Sequence, residues 1–351
     1  RRGRGGGSAR APRRCVGRPR KAFVDRTKQR ARTSLNSPED SEITMRTVLC
    51  FGEVLWDLFE ISPDVYRREI GGAPANVAVV LARLGIASRL CGAVGIDRFG
   101  TELCARIAQT GVDVAAVARR KERTGLTFVA RDDAGEPTFL FYRHDSADMT
   151  HTPADVPDDI ARGCSFAVLG TSTFVPGPVQ ATSERVLAAI GAEKSCALVV
   201  DLNVRAHLWA DKTALVSVAK RLLQDAAYVK ASSADLAALM AIDGRSETAW
   251  LAEAPGATWF VTRGGAREGA SIVVGGAVVA TVPTEPAVAV DATGAGDAFL
   301  AGVLATLAAS EVPDFVAACL FGHRVAAAVI QGLGGTSALD DPAVVARLRA
   351  T

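Results

Sequence analysis

From Thr47 onward, short apolar runs alternate with amphipathic stretches of roughly 10 to 15 residues, the rhythm of parallel strands covered by helices. The pattern predicts strands over Thr47–Glu53, Leu90–Val94, Phe166–Leu169, Ala197–Asn203, Ala227–Lys230 and Thr258–Thr262. It predicts helices over Ala73–Leu84, Gly100–Thr110, Val179–Ala192, Lys212–Asp225 and Ala234–Ala241. In the first helix Val77, Val80, Leu81 and Leu84 share a face, and Gly85 supplies the stop. Gly275-Gly276 marks a hairpin, and a last helix is expected over Asp314–Gln331. The expected class is α/β, with a mostly parallel central sheet and helices on both faces.

Two segments break the alternation. Residues 54–70 and 124–142 read as strands without helices, the second folding back at Asp132-Asp133-Ala134-Gly135. They predict an antiparallel flap, a small β lid over a site at the carboxyl ends of the main strands. The same flap could serve as a face for a homodimer.

The run Ala298–Ala309 is apolar on two stripes, Leu300, Val303, Leu304 and Leu307 on one and Ala298, Ala301, Gly302 and Ala305 on the other, so it predicts a buried helix. Before it stands Asp291-Ala292-Thr293-Gly294-Ala295-Gly296-Asp297. A helix opening on Gly-Ala-Gly aims unpaired N–H groups at what lies ahead of it, which suits a phosphate or other oxyanion. Asp297 at that mouth is either a base or a cap of the helix dipole. A second glycine-rich start, Gly71-Gly72-Ala73-Pro74-Ala75-Asn76, places Asn76 in a first turn, as a cap or as a partner for a substrate hydroxyl.

Charge adds an asymmetry hidden by the net value of +2. The first 44 residues hold 11 Arg and 2 Lys against 4 acidic residues, a net +9 that leaves the remaining 307 at −7. Such a leader could bind nucleic acid or act as a transit peptide. Because the first methionine is Met45 and a strand follows at once, we read residues 1–44 as a disordered or mistranslated extension and residues 45–351 as the domain, with nucleic acid not expected as a partner. No apolar run is long enough to cross a bilayer, and no membrane association is expected. Seven cysteines without ligand spacing read as reduced thiols of a cytoplasmic protein.

The two glycine-rich elements, Gly71 to Gly85 and Asp291 to Leu304, in this order and about 220 residues apart with an α/β pattern between them, resemble the signatures of the ribokinase-like (PfkB) sugar kinases. The resemblance implies ATP-dependent phosphorylation of a sugar or nucleoside hydroxyl, with magnesium and, in many members, a monovalent cation such as potassium. It implies that Asp297 is the general base, that Gly294, Ala295 and Gly296 form the anion hole, and that Asp291 and Thr293 hold the monovalent cation. It further implies that Asp57, Gly72 and Asn76 bind sugar hydroxyls, and that Thr262, Gly264 and His323 contact the nucleotide, although a lone His on a helix could equally be structural. Lys230, Ser232 and Asp235 fall where the family has Asn-x-x-Glu organising magnesium and phosphate. Ser232 and Asp235 replace that pair with shorter reach, so Asp235 would meet magnesium through a water. Ala292 and Leu202 also depart from the usual residues.

Asp201-Leu202-Asn203-Val204-Arg205 and Phe141-Tyr142-Arg143 look like the fructokinase and 2-keto-3-deoxygluconate kinase branches. Asn203 joins the expected sugar site. Arg143 and Arg205 could contact phosphate or an acidic sugar, or form surface ion pairs. The expectation is phosphorylation of a primary hydroxyl of a hexose-type sugar, fructose first and 2-keto-3-deoxygluconate next. A dinucleotide oxidoreductase lacks its Gly-x-Gly-x-x-Gly after the first strand, and no Gly-x-x-x-x-Gly-Lys-Ser/Thr loop is present. A non-catalytic sugar sensor on the same scaffold is the alternative of another class.

Overall fold

A computed structural model describes residues 46–131, 137–264 and 268–350. The leader and the Asp132–Gly135 turn lie outside the described residues. The chain runs β1 (Thr47–Phe51), β2 (Leu55–Ser62), β3 (Val65–Gly71), α1 (Ala73–Leu84), β4 (Ser88–Gly95), α2 (Arg98–Gln109), β5 (Asp113–Arg120), β6 (Gly125–Arg131) and β7 (Pro137–Tyr142). It continues β8 (Cys164–Gly170), α3 (Pro178–Ala192), β9 (Ala197–Asp201), α4 (Lys212–Asp225), β10 (Tyr228–Ser232), α5 (Ser233–Asp243), α6 (Glu247–Leu251) and β11 (Thr258–Thr262). The hairpin β12 (Ala270–Val274) and β13 (Ala277–Val282), then α7 (Ala295–Ala309), α8 (Phe315–Val329) and α9 (Pro342–Arg349), complete it.

The main sheet has the order β13-β12-β11-β10-β9-β8-β1-β4-β5. Only β12 runs against its neighbours. The chain goes outward from β1 through β4 to β5, returns to β8 beside β1, and then moves the other way, so a topological switch point falls between β1 and β8. Alternate residues of β1 feed two cores. Val48 and Cys50 face α1, α7 and α8, whereas Leu49 and Phe51 face α3, α4 and α5. Burial on both faces accounts for the nearly continuous apolar strands.

The second sheet, β3-β2-β6-β7, is the expected lid with one difference: β2 pairs parallel to β6 and only the outer pairs are antiparallel. The reason lies in its tethers. β2 follows β1 and β6 follows β5, each after three or four residues, and β1 and β5 run in the same direction, so the two lid strands emerge in the same direction. β5, a charged edge strand, and α9, capped by Asp341 through Ala343 N–H at 2.8 Å, are additions to the expected elements. The second helix begins two residues early because Asp97 accepts from Gly100 N–H at 2.8 Å and caps it.

Candidate functional site

The lid's inner face and the carboxyl ends of β1, β9 and β10 enclose a cavity of about 840 Å³. Asp57, Thr127, Phe141 and Arg143 reach it from the lid side, and Asn76, Asn203 and Asp297 from the body. Phe141 stacks on His207 with ring centroids 4.9 Å apart, which ties lid to body across the mouth. A second cavity of about 670 Å³ lies beyond the first turn of α7 and contains Thr262, Gly264 and His323. The two cavities share Ser232, Ala295 and Gly296. A ligand in each would therefore meet at the start of α7.

That start is held by Asp291. One of its oxygens accepts from the Thr293 N–H at 3.2 Å and hydroxyl at 2.9 Å, and the other from Gly334 N–H at 2.7 Å. Gly294, with φ 77°, turns the chain into the helix, and no side chain caps it. The Ala295 N–H donates to the Ala292 carbonyl at 3.2 Å, and the next N–H groups of the first turn, at Gly296 and Asp297, are left for a ligand. Asp297, third in the helix, accepts from Asn76 Nδ2 at 2.9 Å. Asn76 caps nothing either: α1 has Gly72 as its N-cap and no side-chain cap, and Asn76 Oδ1 is buried without a partner. An acceptor left open beside a carboxylate suits a hydroxyl group that donates to it.

Burial pushes the Asp297 carboxyl up to about 7, and the nearby Asp201 raises it further while Lys230 and the Asn76 bond oppose the rise. Burial likewise pushes Asp57 up to about 7 against the bond from Thr127, with Asp297 and Asp291 adding to the rise. Two carboxyl groups raised toward neutrality therefore share one cavity. Asp201 is also raised by burial, against the opposing pull of Lys230, whose Nζ stands 3.1 Å from Asp201 Oδ1.

The other residues singled out from the sequence have the following surroundings. Gly72 and Asn203 line the first cavity. Arg143 is buried and donates from Nε and Nη2 to Asp148 at 2.9 and 2.6 Å, while Arg205 is exposed at the mouth with no ion pair among the described residues. His323 is fixed by Nε2 against the Val282 carbonyl at 3.1 Å, and burial lowers its pKa. Ser232 and Asp235 form a capping box on α5: Asp235 Oδ2 accepts from Ser232 N–H and hydroxyl, both at 2.7 Å, and its Oδ1 from Val204 N–H at 2.7 Å. Both oxygens are engaged, and no cluster of three or more metal-ligating side chains exists among the described residues. The pair does not fit a magnesium cage built by the protein.

Sequence reasoning passed over Glu53, Thr127 and His207 in the first cavity and Thr284–Ala287 in the second. Glu53 sits within the segment that supplied Asp57 and accepts from the Ser172 hydroxyl at 3.1 Å. The 284–287 loop has no periodicity that could have pointed to it.

Residues 45–342 match the description pfkB family carbohydrate kinase. The chain belongs to the pfkB family of carbohydrate kinases. This pfkB kinase is therefore a sugar phosphotransferase. It is 39% identical over 278 residues to a fructokinase of Klebsiella pneumoniae, covering 76% of this chain and 86% of that protein. Among solved structures it resembles the Xylella fastidiosa fructokinase with bound ATP, with a TM-score of 0.75, 28% identity, and coverage of 88% of this chain and 100% of that one. It also resembles the Vibrio cholerae fructokinase in a fructose-, ADP- and calcium-bound form, with a TM-score of 0.75, 25% identity, and coverage of 87% and 99%. No helix of the described part of this pfkB kinase is long and apolar enough to cross a membrane.

Proposed function

We propose that the protein is a fructokinase that transfers the terminal phosphoryl group of ATP to a primary hydroxyl of fructose. The observation that carries this reading is the buried Asp297 carboxyl, poised near neutrality at the junction of the two cavities and bonded to Asn76. Fructose occupies the cavity under the lid, its hydroxyls meeting Asp57, Asn76 Oδ1, Asn203 and the backbone at Gly72. ATP lies in the second cavity against Thr262, Gly264 and His323. Asp297 takes the proton as the hydroxyl oxygen attacks the terminal phosphorus, the bond to the ADP oxygen breaks, and the N–H groups at Gly294, Ala295 and Gly296 bind the phosphoryl oxygens in flight. Asp291 and Thr293 order the loop assigned to a monovalent cation. Magnesium is assigned to the nucleotide's own phosphates.

A neutral sugar is favoured because the Arg143 guanidinium is already bonded to Asp148. Arg205 at the mouth supports 2-keto-3-deoxygluconate as the second reading, since an unpaired guanidinium would welcome a carboxylate. An ADP-release assay over fructose, 2-keto-3-deoxygluconate, ribose and adenosine tests both. Fructose is expected to give the highest kcat/KM. Binding of a sugar without turnover of any would hand the site to a sensor.

The lid's outer face carries Tyr66, Leu140 and Tyr142, 43%, 59% and 59% exposed, with Phe128 held edge-on between the two tyrosines. We assign this apolar face to pairing with a second copy. Sedimentation should give a dimer that Leu140→Glu converts to monomer; an unaltered mass for that variant would remove the lid from the interface. The six cysteines among the described residues are unpaired, which suits a reducing compartment such as the cytoplasm.

A further inference from the structure

We propose that Lys230 is a catalytic residue: its ammonium group leaves Asp201 to meet an oxygen of the transferring phosphoryl group at the first turn of α7, acting as the protein's own fixed cation. The inference rests on the phosphotransfer reading above and adds a fixed charge at the first turn of α7. Lys230 lies on β10, 5% exposed, and lines the cavity under the lid. Its hydrogen bond to Asp201 Oδ2 is 3.4 Å long, whereas a charge-assisted contact of this kind ordinarily spans roughly 2.7 to 2.9 Å. Its nearest approach to the same carboxylate is 3.1 Å, to Oδ1, at an angle that makes no hydrogen bond, so both contacts are long for two buried ions.

The other side of the ammonium group touches α7. A Cβ built on Gly296 would stand 2.7 Å from Lys230 Nζ and 3.3 Å from Cε, so the glycine leaves the space that the lysine head fills. Helix N-termini carry partial positive charge and disfavour a cation. Burial works against the charge, but Asp201, Asp235 and Asp297 outweigh it and raise the Lys230 pKa, so the ammonium group stays charged where an anion can enter between it and the helix. Gly296 lines both cavities, so such an anion lies where sugar and nucleotide meet. Asp235, closed into its capping box, offers no seat for a protein-held divalent ion beside the lysine.

In the step itself the sugar oxygen gains the phosphorus, the bond to the ADP oxygen breaks, and the hydroxyl proton goes to Asp297. Lys230 keeps its proton throughout and contributes charge alone.

Lys230→Met tests this with two measurements. With fructose and ATP, kcat should fall about 10²- to 10³-fold while the KM for sugar holds. By calorimetry, the β,γ-imido analogue of ATP should bind about tenfold more weakly while ADP affinity is retained, because only the terminal group is lost. If the single variant fails to fold because Asp201 is left without its cation, Asp201→Asn combined with Lys230→Met removes the pair together and is read in the same way. A kcat within about threefold of wild type, or equal losses for ADP and the analogue, would overturn the proposal. If the wild type turned over no sugar, the phosphotransfer reading would fall, and the split between ADP and the analogue would still decide the role of Lys230.

Discussion

Asp297→Asn is expected to lower kcat about 10²- to 10⁴-fold while leaving fructose binding nearly intact, because it removes the base and keeps the shape. The amide still offers Asn76 an oxygen in place of the carboxylate it meets at 2.9 Å. The wild-type pH profile carries the same argument. With Asp297 pushed up to about 7, the active ionised form grows as pH rises through neutrality, so kcat/KM at pH 8 should exceed that at pH 6 by about tenfold. Asp57 also sits near 7, and the observed midpoint belongs to the coupled pair. Stability should move in the opposite sense. A carboxyl whose folded pKa is raised contributes stability that is fully present below its unfolded value and lost as pH rises through about 7. Asp297→Asn should therefore melt at a higher temperature than wild type at pH 8, with the advantage vanishing toward pH 4. Scanning calorimetry at the two pH values, alongside turnover, separates base from cap: a variant with full activity would return Asp297 to a structural role.

Gly294→Ala is expected to lower kcat about 10²- to 10³-fold by displacing the N–H groups at the head of α7. Two costs combine. At φ 77° an alanine is in the left-handed region, disfavoured by about 1–2 kcal/mol. Its Cβ would also stand 2.3 Å from Gly335 Cα, a backbone contact that no side-chain rotation relieves. The two loops must then separate, and Gly334, which donates to Asp291, moves with its neighbour. Gly163→Ala is the control, since it shares the left-handed backbone at φ 71° but meets nothing within 4 Å. It should lose stability alone. If both variants lose only stability, the close approach to Gly335 has no part in catalysis.

The head of α7 could be read from the chain because its parts are contiguous: small residues, an acid and an apolar helix follow one another without interruption. Asn76 was within reach for a similar reason, lying beside a glycine-rich turn, whereas Asp57 came only from the family resemblance. Ser232-x-x-Asp235 carried the spacing of a capping box, so its closed geometry was also written locally. What stayed hidden depends on distant pairing. The parallel match of β2 with β6 joins segments whose local alternation is the same whichever direction they run. The bond between Asp201 and Lys230 spans 29 residues, and nothing around either residue announces the other. Arg143 shows the limit from another side: its type suited a substrate anion, but Asp148, five residues on, already holds it.

The bond between Asn76 and Asp297 joins residues 221 positions apart. Its carboxylate half stands on a helix entry clasped by Gly334, close to the end of the described chain. During synthesis the half proposed to bind sugar is therefore made long before the groups proposed to perform transfer, and loop closure over such a separation comes late. The nascent chain can assemble its first strands and lid while chemically silent. Activity should switch on in one step as the segment from Asp291 to Gly334 docks, which makes turnover a sharp reporter of this late closure.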